Sequence, residues 1–290
     1  MAAVTSEHII SIEELRPDVS HLVTEDDTPV DNLFSEKQQR LLTEPLYTSW
    51  QPRTKDKHSD AHNDEANDKP RLFLAMANVG LYYGVRQDPL VPDVMVSLDV
   101  QAPADWWEKY NRCYMVWEFG KMPEIVLEIV SNLHGEELGK KLHRYEQIGV
   151  PYYAVFDPAG HYGAQRLRLF HRIGNVFQEV ERIDPKEFPL ALTLWEGEYE
   201  GATAEWLRWT DHNGNMILTG SERVKEEQQR VKEAQQRANE AQQRAKEAEQ
   251  RMNEAQQQAE SAESALAQER LANERLAAKL RELGINPETL

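Results

Sequence analysis

The chain has 290 residues, with 33 Lys+Arg against 50 Asp+Glu, a net charge of −17, 40% hydrophobic residues and a single cysteine, Cys113. That length fits one or two ordinary domains, and one cysteine excludes an internal disulfide; with no CxxC or Cys/His array to hold structural zinc, any metal falls to oxygen ligands. No run approaches the ~18 apolar residues of a membrane span, and the start MAAVTSEHIISIEEL lacks the pattern of a secretory signal, so a soluble cytoplasmic protein with no membrane partner is expected.

Taken in chain order, residues 1–34 are acidic and read as a loosely ordered segment. Ser35 with Gln38 three residues on resembles a capping box opening a short helix through SEKQQRLL. Residues 51–70 are polar and charged, and read as a solvated loop. Four apolar runs bounded by turn residues then predict strands over 73–83, 91–98, 124–130 and 151–158. Between the last two, Leu138, Leu142, Tyr145 and Gly149 recur at helical spacing. Residues 166–183 read as a hairpin around Gly174 and Asn175. The sum is an α/β domain over 35–220, a mixed sheet with flanking helices.

From Ser221, Gly and Pro vanish until Gly284, which predicts one long helix over 221–284 and a short tail over 285–290. Five seven-residue units begin at Val224, Val231, Ala238, Ala245 and Met252, and the same register reaches Leu266, Leu276, Leu280 and Leu283. A 3.5-residue period is the signature of a coiled coil and so of a homo-oligomer. Alanine makes a poor knob, so a solvated single helix is the competing reading. Residues 1–220 carry 21 Lys+Arg against 36 Asp+Glu, so nearly all the acidity lies in the body. Such a surface opposes nonspecific nucleic-acid binding, which depends on Lys and Arg neutralising phosphates.

Two carboxylates fall inside apolar strands, Asp93 in VPDVMV and Glu128 in IVLEIV. A carboxylate in a buried sheet costs several kcal/mol (about 3–5 when left unpaired) unless it is paired, hydrogen-bonded or metal-bound. For each, a structural ion pair or an outward-facing position is the plain alternative. Lys141 is misplaced in the complementary sense, on the edge of the apolar stripe of its helix, whereas Lys140 faces water; a snorkelling lysine would look the same. Two acids and a lysine converging would hold Mg²⁺ through oxygen and place a water for attack on a phosphodiester. His58 and His62 have metal-like spacing within the polar loop, His134 follows Glu128 closely, and Glu137 reads as a solvated first-turn acid. Trp106, Trp107, Trp195, Trp206 and Trp209 either stack on bases or close small cores. Lys109, Arg112 and Lys121 are too few for a DNA-binding patch.

At these residues the chain resembles the bacterial family of putative restriction endonucleases, a branch of the PD-(D/E)XK nuclease superfamily. The motifs PVDNLFSEKQQRLLTEPLYTSW, NVGLYYG, VPDVMVSLDV, PEIVLEIVSN, GKKLHRYEQIGVPYYAVFDP, WLRWTDHNGNMILTGSE and LRELGINPE follow in order. The resemblance implies a restriction-endonuclease-like sheet, DNA as substrate, and Mg²⁺ (or Mn²⁺) held by Asp93 and Glu128. The superfamily's lysine lies two residues after the second acid, where this chain has Val130; the resemblance implies that Lys141 replaces it, with Tyr145 one turn later orienting the lysine or packing beneath it. Tyr152 stands where relatives carry an acid. Two functions follow: an endonuclease working through Asp93, Glu128, Lys141 and Tyr145, or an inactive nuclease-like scaffold acting through its coiled coil.

Overall fold

The computed structural model describes residues 17–22, 32–54, 69–132 and 136–282. In chain order these form α1 (Leu33–Thr48), the short pair β1 (Arg53–Thr54) and β2 (Lys69–Pro70), β3 (Phe73–Ala77), β4 (Leu81–Tyr82) and β5 (Val94–Leu98). Then come β6 (Tyr114–Met115), α2 (Val116–Phe119), β7 (Ile125–Ile129), a wide π-type turn over Glu137–Lys141 and α3 (Leu142–Ile148). The rest is β8 (Tyr152–Phe156), β9 (Leu167–Ile173), β10 (Val176–Val180), β11 (Ala191–Tyr199), β12 (Ala202–Thr210) and α4 (Gly220–Glu282).

Six strands make the central sheet in the order β10-β9-β8-β7-β5-β3. Within this sheet β7 and β8 are the parallel pair among the described residues, so the chain must cross over between them, and α3 makes that crossing. The sheet is mixed, as the alternation of apolar runs and helical periodicity predicts. Central strands β5, β7 and β8 are buried at every residue because both sheet faces are covered. On one face Val94, Val96, Ile125, Leu127 and Ile129 pack with Leu42 and Leu46 of α1 and Leu207 and Trp209 of β12. On the other, Met95, Val126, Val130, Tyr153 and Val155 pack with Tyr145 of α3, Leu81, Leu90 and Tyr114.

Several expectations need correction. The helix does not open on a Ser35 capping box: Asn32 is the N-cap, its Oδ1 accepting from the N–H groups of Phe34 and Ser35, each at 3.0 Å. Ser35 lies inside the helix, buried. The run 73–83 is two strands, because Asn78 adopts φ +54° and turns the chain away from the sheet. Strand pairing for 91–98 begins only at Val94. The hairpin β9–β10, by contrast, turns at Gly174 and Asn175 as the sequence predicts, and Gly174 takes φ +65°. Residues 17–22 of the acidic N-terminal segment are packed, Val19 and Leu22 being buried against Tyr82, Cys113 and Met115. His58, His62 and His134 lie outside the described residues.

The chain divides into a body through Arg223 and a second unit from Val224 onward, which is the exposed length of α4. Among the described residues no helix is long and apolar enough to cross a membrane.

Candidate active site

The β5–β7 register pairs Val94 with Leu127, and one further step outward on each strand reaches Asp93 and Glu128. Asp93 stands just before the first paired residue of β5 rather than within the strand. Its carboxylate does the work the ladder would have done: Oδ2 accepts from the N–H of Ile129 at 2.6 Å. Oδ1 accepts from Gln39 Nε2 at 2.9 Å, tying α1 to the end of the sheet. Gln39 and Asn78 bond each other through both amides, Asn78 Nδ2 donating to Gln39 Oε1 at 2.9 Å. Asp93 is 6% exposed.

Glu128 shares sheet parity with Val126 and so points to the face covered by α3. It is 1% exposed, and burial is the larger influence, raising its pKa against the opposing charge and hydrogen bond of Lys141 and the hydrogen bond of Tyr145. Lys141 Nζ donates to Oε2 at 2.9 Å and Tyr145 Oη donates to Oε1 at 2.7 Å. Burial lowers the Lys141 pKa, but the carboxylates of Glu128, Glu137 and Asp93 outweigh it and the net shift is upward, so the ammonium stays charged. Desolvation, reinforced by the Glu128 charge, holds the Tyr145 hydroxyl well above its ordinary value, so it remains a donor. Tyr145 therefore hydrogen-bonds the acid, the same carboxylate that Lys141 bonds.

Local sequence explains how Lys141 arrives. Gly139 departs from helical geometry, the turn Glu137–Lys141 widens, and α3 starts only at Leu142. Tyr153 Oη pins this turn to β8 by donating to the Glu137 carbonyl at 2.8 Å. Lys140 is 80% exposed and pairs with Glu136, whereas Lys141 is 34% exposed and turned inward, as the apolar stripe predicts.

Glu137 is not the solvated acid the sequence suggests. Its side chain is 5% exposed, lies 3.8 Å from Lys141 Nζ and accepts from Tyr162 Oη at 3.2 Å. Helix periodicity hid it, since it assigns a first-turn acid to water. Gln39 was equally hidden, because an amide on an amphipathic helix carries no local sign of a distant carboxylate. Tyr152 is on the opposite face, its hydroxyl donating to Glu187 at 2.6 Å. The basic trio is spent elsewhere: Lys109 on the Ser20 carbonyl, Arg112 Nε on the Trp107 carbonyl, Lys121 on Glu124.

Among the described residues no three His, Cys, Asp or Glu side chains gather closely enough to enclose an ion. The two acids are hard oxygen donors. That suits a cation such as Mg²⁺, which keeps several waters and takes one or two carboxylates. The donor chemistry therefore fits.

No curated protein matches the chain. The family model Uma2, described as "Putative restriction endonuclease", matches residues 50–197. That span contains Asp93, Glu128, Lys141, Tyr145 and Glu137, and leaves out α1 with Gln39, β12 and α4. With half its length covered, the two acids at neighbouring strand ends and the helix-borne lysine all inside the match, the chain belongs to the Uma2 family, a nuclease family by its description.

Proposed function

We propose that the protein is a divalent-metal-dependent endonuclease that hydrolyses DNA phosphodiesters. The observation that carries this reading is a buried Glu128 held between Lys141 and Tyr145, one strand away from a buried Asp93. Asp93 and Glu128 would hold Mg²⁺ or Mn²⁺, which supplies Lewis acidity toward phosphate and lowers the pKa of bound water. Gln39 and the Ile129 N–H fix the orientation of the Asp93 carboxylate. Tyr145 does the same for Glu128. Lys141, charged and 34% exposed, would stabilise negative charge developing on phosphate oxygen.

The second reading, an inactive nuclease-like scaffold, draws on one observation: both oxygens of Glu128 already have protein donors, so the pair is satisfied without metal. Metal binding separates the two. Millimolar Mn²⁺ should raise the melting temperature of the wild type but not of Glu128→Gln; no rise in the wild type would favour the scaffold.

A further inference from the structure

Glu137 is a buried acid to which the proposed chemistry gives no task. Its side chain is 5% exposed, and two tyrosines hold the residue in place. Tyr153 Oη donates to its carbonyl at 2.8 Å, and Tyr162 Oη donates to its Oε2 at 3.2 Å. Tyr162 is in turn fixed by the buried Asp157, whose carboxylate accepts from the N–H groups of Gly160, His161 and Tyr162 at 2.8, 2.9 and 2.7 Å. The other oxygen of Glu137, Oε1, lies 3.8 Å from Lys141 Nζ, beyond hydrogen-bond reach.

A simple ion pair does not account for this acid. Lys141 already bonds Glu128 Oε2 at 2.9 Å, and burying a second carboxylate beside one ammonium adds desolvation and repulsion between the acids. Nor does Glu137 complete a metal cage, since among the described residues no three acids gather closely enough to enclose an ion. Charge points to another role. Glu128, Glu137 and Asp93 all act on the one Lys141 ammonium, so with the three ionised the group carries two negative charges in excess, which one divalent cation balances.

Glu128 serves a cation and the ammonium poorly at the same time, because two positive charges then meet at one carboxylate. Lys141 needs a second acceptor within the swing of its flexible stem. Glu137 stands four residues before it on the same widened turn, with its carboxylate anchored and 3.8 Å away. We propose that Glu137 is a positioning residue that takes over the Lys141 ammonium when Glu128 engages a divalent cation, keeping the lysine charged and at the site. This rests on the metal-dependent reading of Asp93 and Glu128.

The test is calorimetric titration of the full-length protein with Mn²⁺, at a pH where wild-type affinity has levelled off and protons no longer compete. Glu137→Gln keeps the side chain's shape and an acceptor for Tyr162, and should weaken Mn²⁺ binding about tenfold, the lower end for residues that support metal ligands. In a Lys141→Met background no ammonium needs an acceptor, and the same change should cost about twofold or less. An equal loss in both backgrounds means that Glu137 acts on the metal or the fold and not through Lys141, which overturns the inference. Unchanged Mn²⁺ affinity in Glu137→Gln overturns it too. Either result leaves the nuclease reading standing, because wild type still binds the metal. No Mn²⁺ binding by wild type at millimolar concentration overturns both.

Discussion

At the scale of single residues, the site is an exercise in keeping a buried acid usable. Glu128 has its pKa raised above the ordinary 4.5, burial being the larger influence and Lys141 the main opposition. The folded protein therefore holds a proton on Glu128 where the unfolded chain has lost it. The stability this contributes is complete below the unfolded value and lost as pH rises through the raised one. Proton and metal compete for the same oxygens, so metal affinity should climb through that window. Lys141→Ala removes the strongest opposition to the shift, and calorimetric Mn²⁺ titrations across pH should find the rise in affinity displaced to higher pH in this variant. An unmoved profile would separate Lys141 from the acid. Asp93, Glu128 and Lys141 were legible because each breaks the hydrophobic pattern of its own element. Glu137 and Gln39 obey theirs, and only long-range packing reveals them. Tyr145 was legible as a neighbour, but its partner was not, since spacing places a side chain on a face without saying which atom it meets.

At the scale of elements, local pattern identified the central strands and the β9–β10 hairpin, because short continuous apolar runs and Gly174 are written in short windows. It said less about β11 and β12, whose residues mix Trp, Glu and Thr without a clean apolar run. It also passed over the start of α4, where Thr219 and Glu222 form a capping box: the Glu222 N–H donates to Thr219 Oγ1 at 3.2 Å and the Thr219 N–H donates to Glu222 Oε2 at 2.8 Å. Arg208 of β12, with a side chain only 3% exposed, donates to the same carboxylate at 2.6 Å. Burial raises the Glu222 pKa, but hydrogen bonds from Arg208 and Thr219 outweigh it and the net direction is down. Its contribution is thus present above the ordinary carboxylate value and lost as pH falls through the depressed one. Glu222→Ala should destabilise the body by about 2–3 kcal/mol in denaturant unfolding at neutral pH, less than a fully buried pair because Glu222 is 31% exposed. A loss near zero would mean that Arg208 is satisfied by the Ile217 carbonyl alone.

At the scale of the whole molecule, an acidic body is joined to a helix of 63 residues, roughly 95 Å long at 1.5 Å per residue. The helix buries none of its residues, while Val224, Val231, Met252, Leu266 and Leu276 on its heptad seam stay more than half exposed or close to it. Isolated helices gain little from intrahelical pairs, of which Arg230–Glu227 and Arg237–Glu233 are examples worth about 0.3–0.5 kcal/mol each. We infer that a second copy covers the seam, with the leucine end as its strongest contact. Sedimentation velocity of the full chain should then find an oligomer that Leu276→Arg with Leu280→Arg reduces to monomer; a wild-type monomer at micromolar concentration would leave α4 solvated. The central claim concerns the body, and cleavage of supercoiled plasmid tests it most directly. With Mg²⁺ the wild type should nick or linearise the plasmid, whereas Asp93→Asn, Glu128→Gln and Lys141→Ala, each still folded by circular dichroism, should leave it intact. Undiminished cleavage by the three variants would contradict the account.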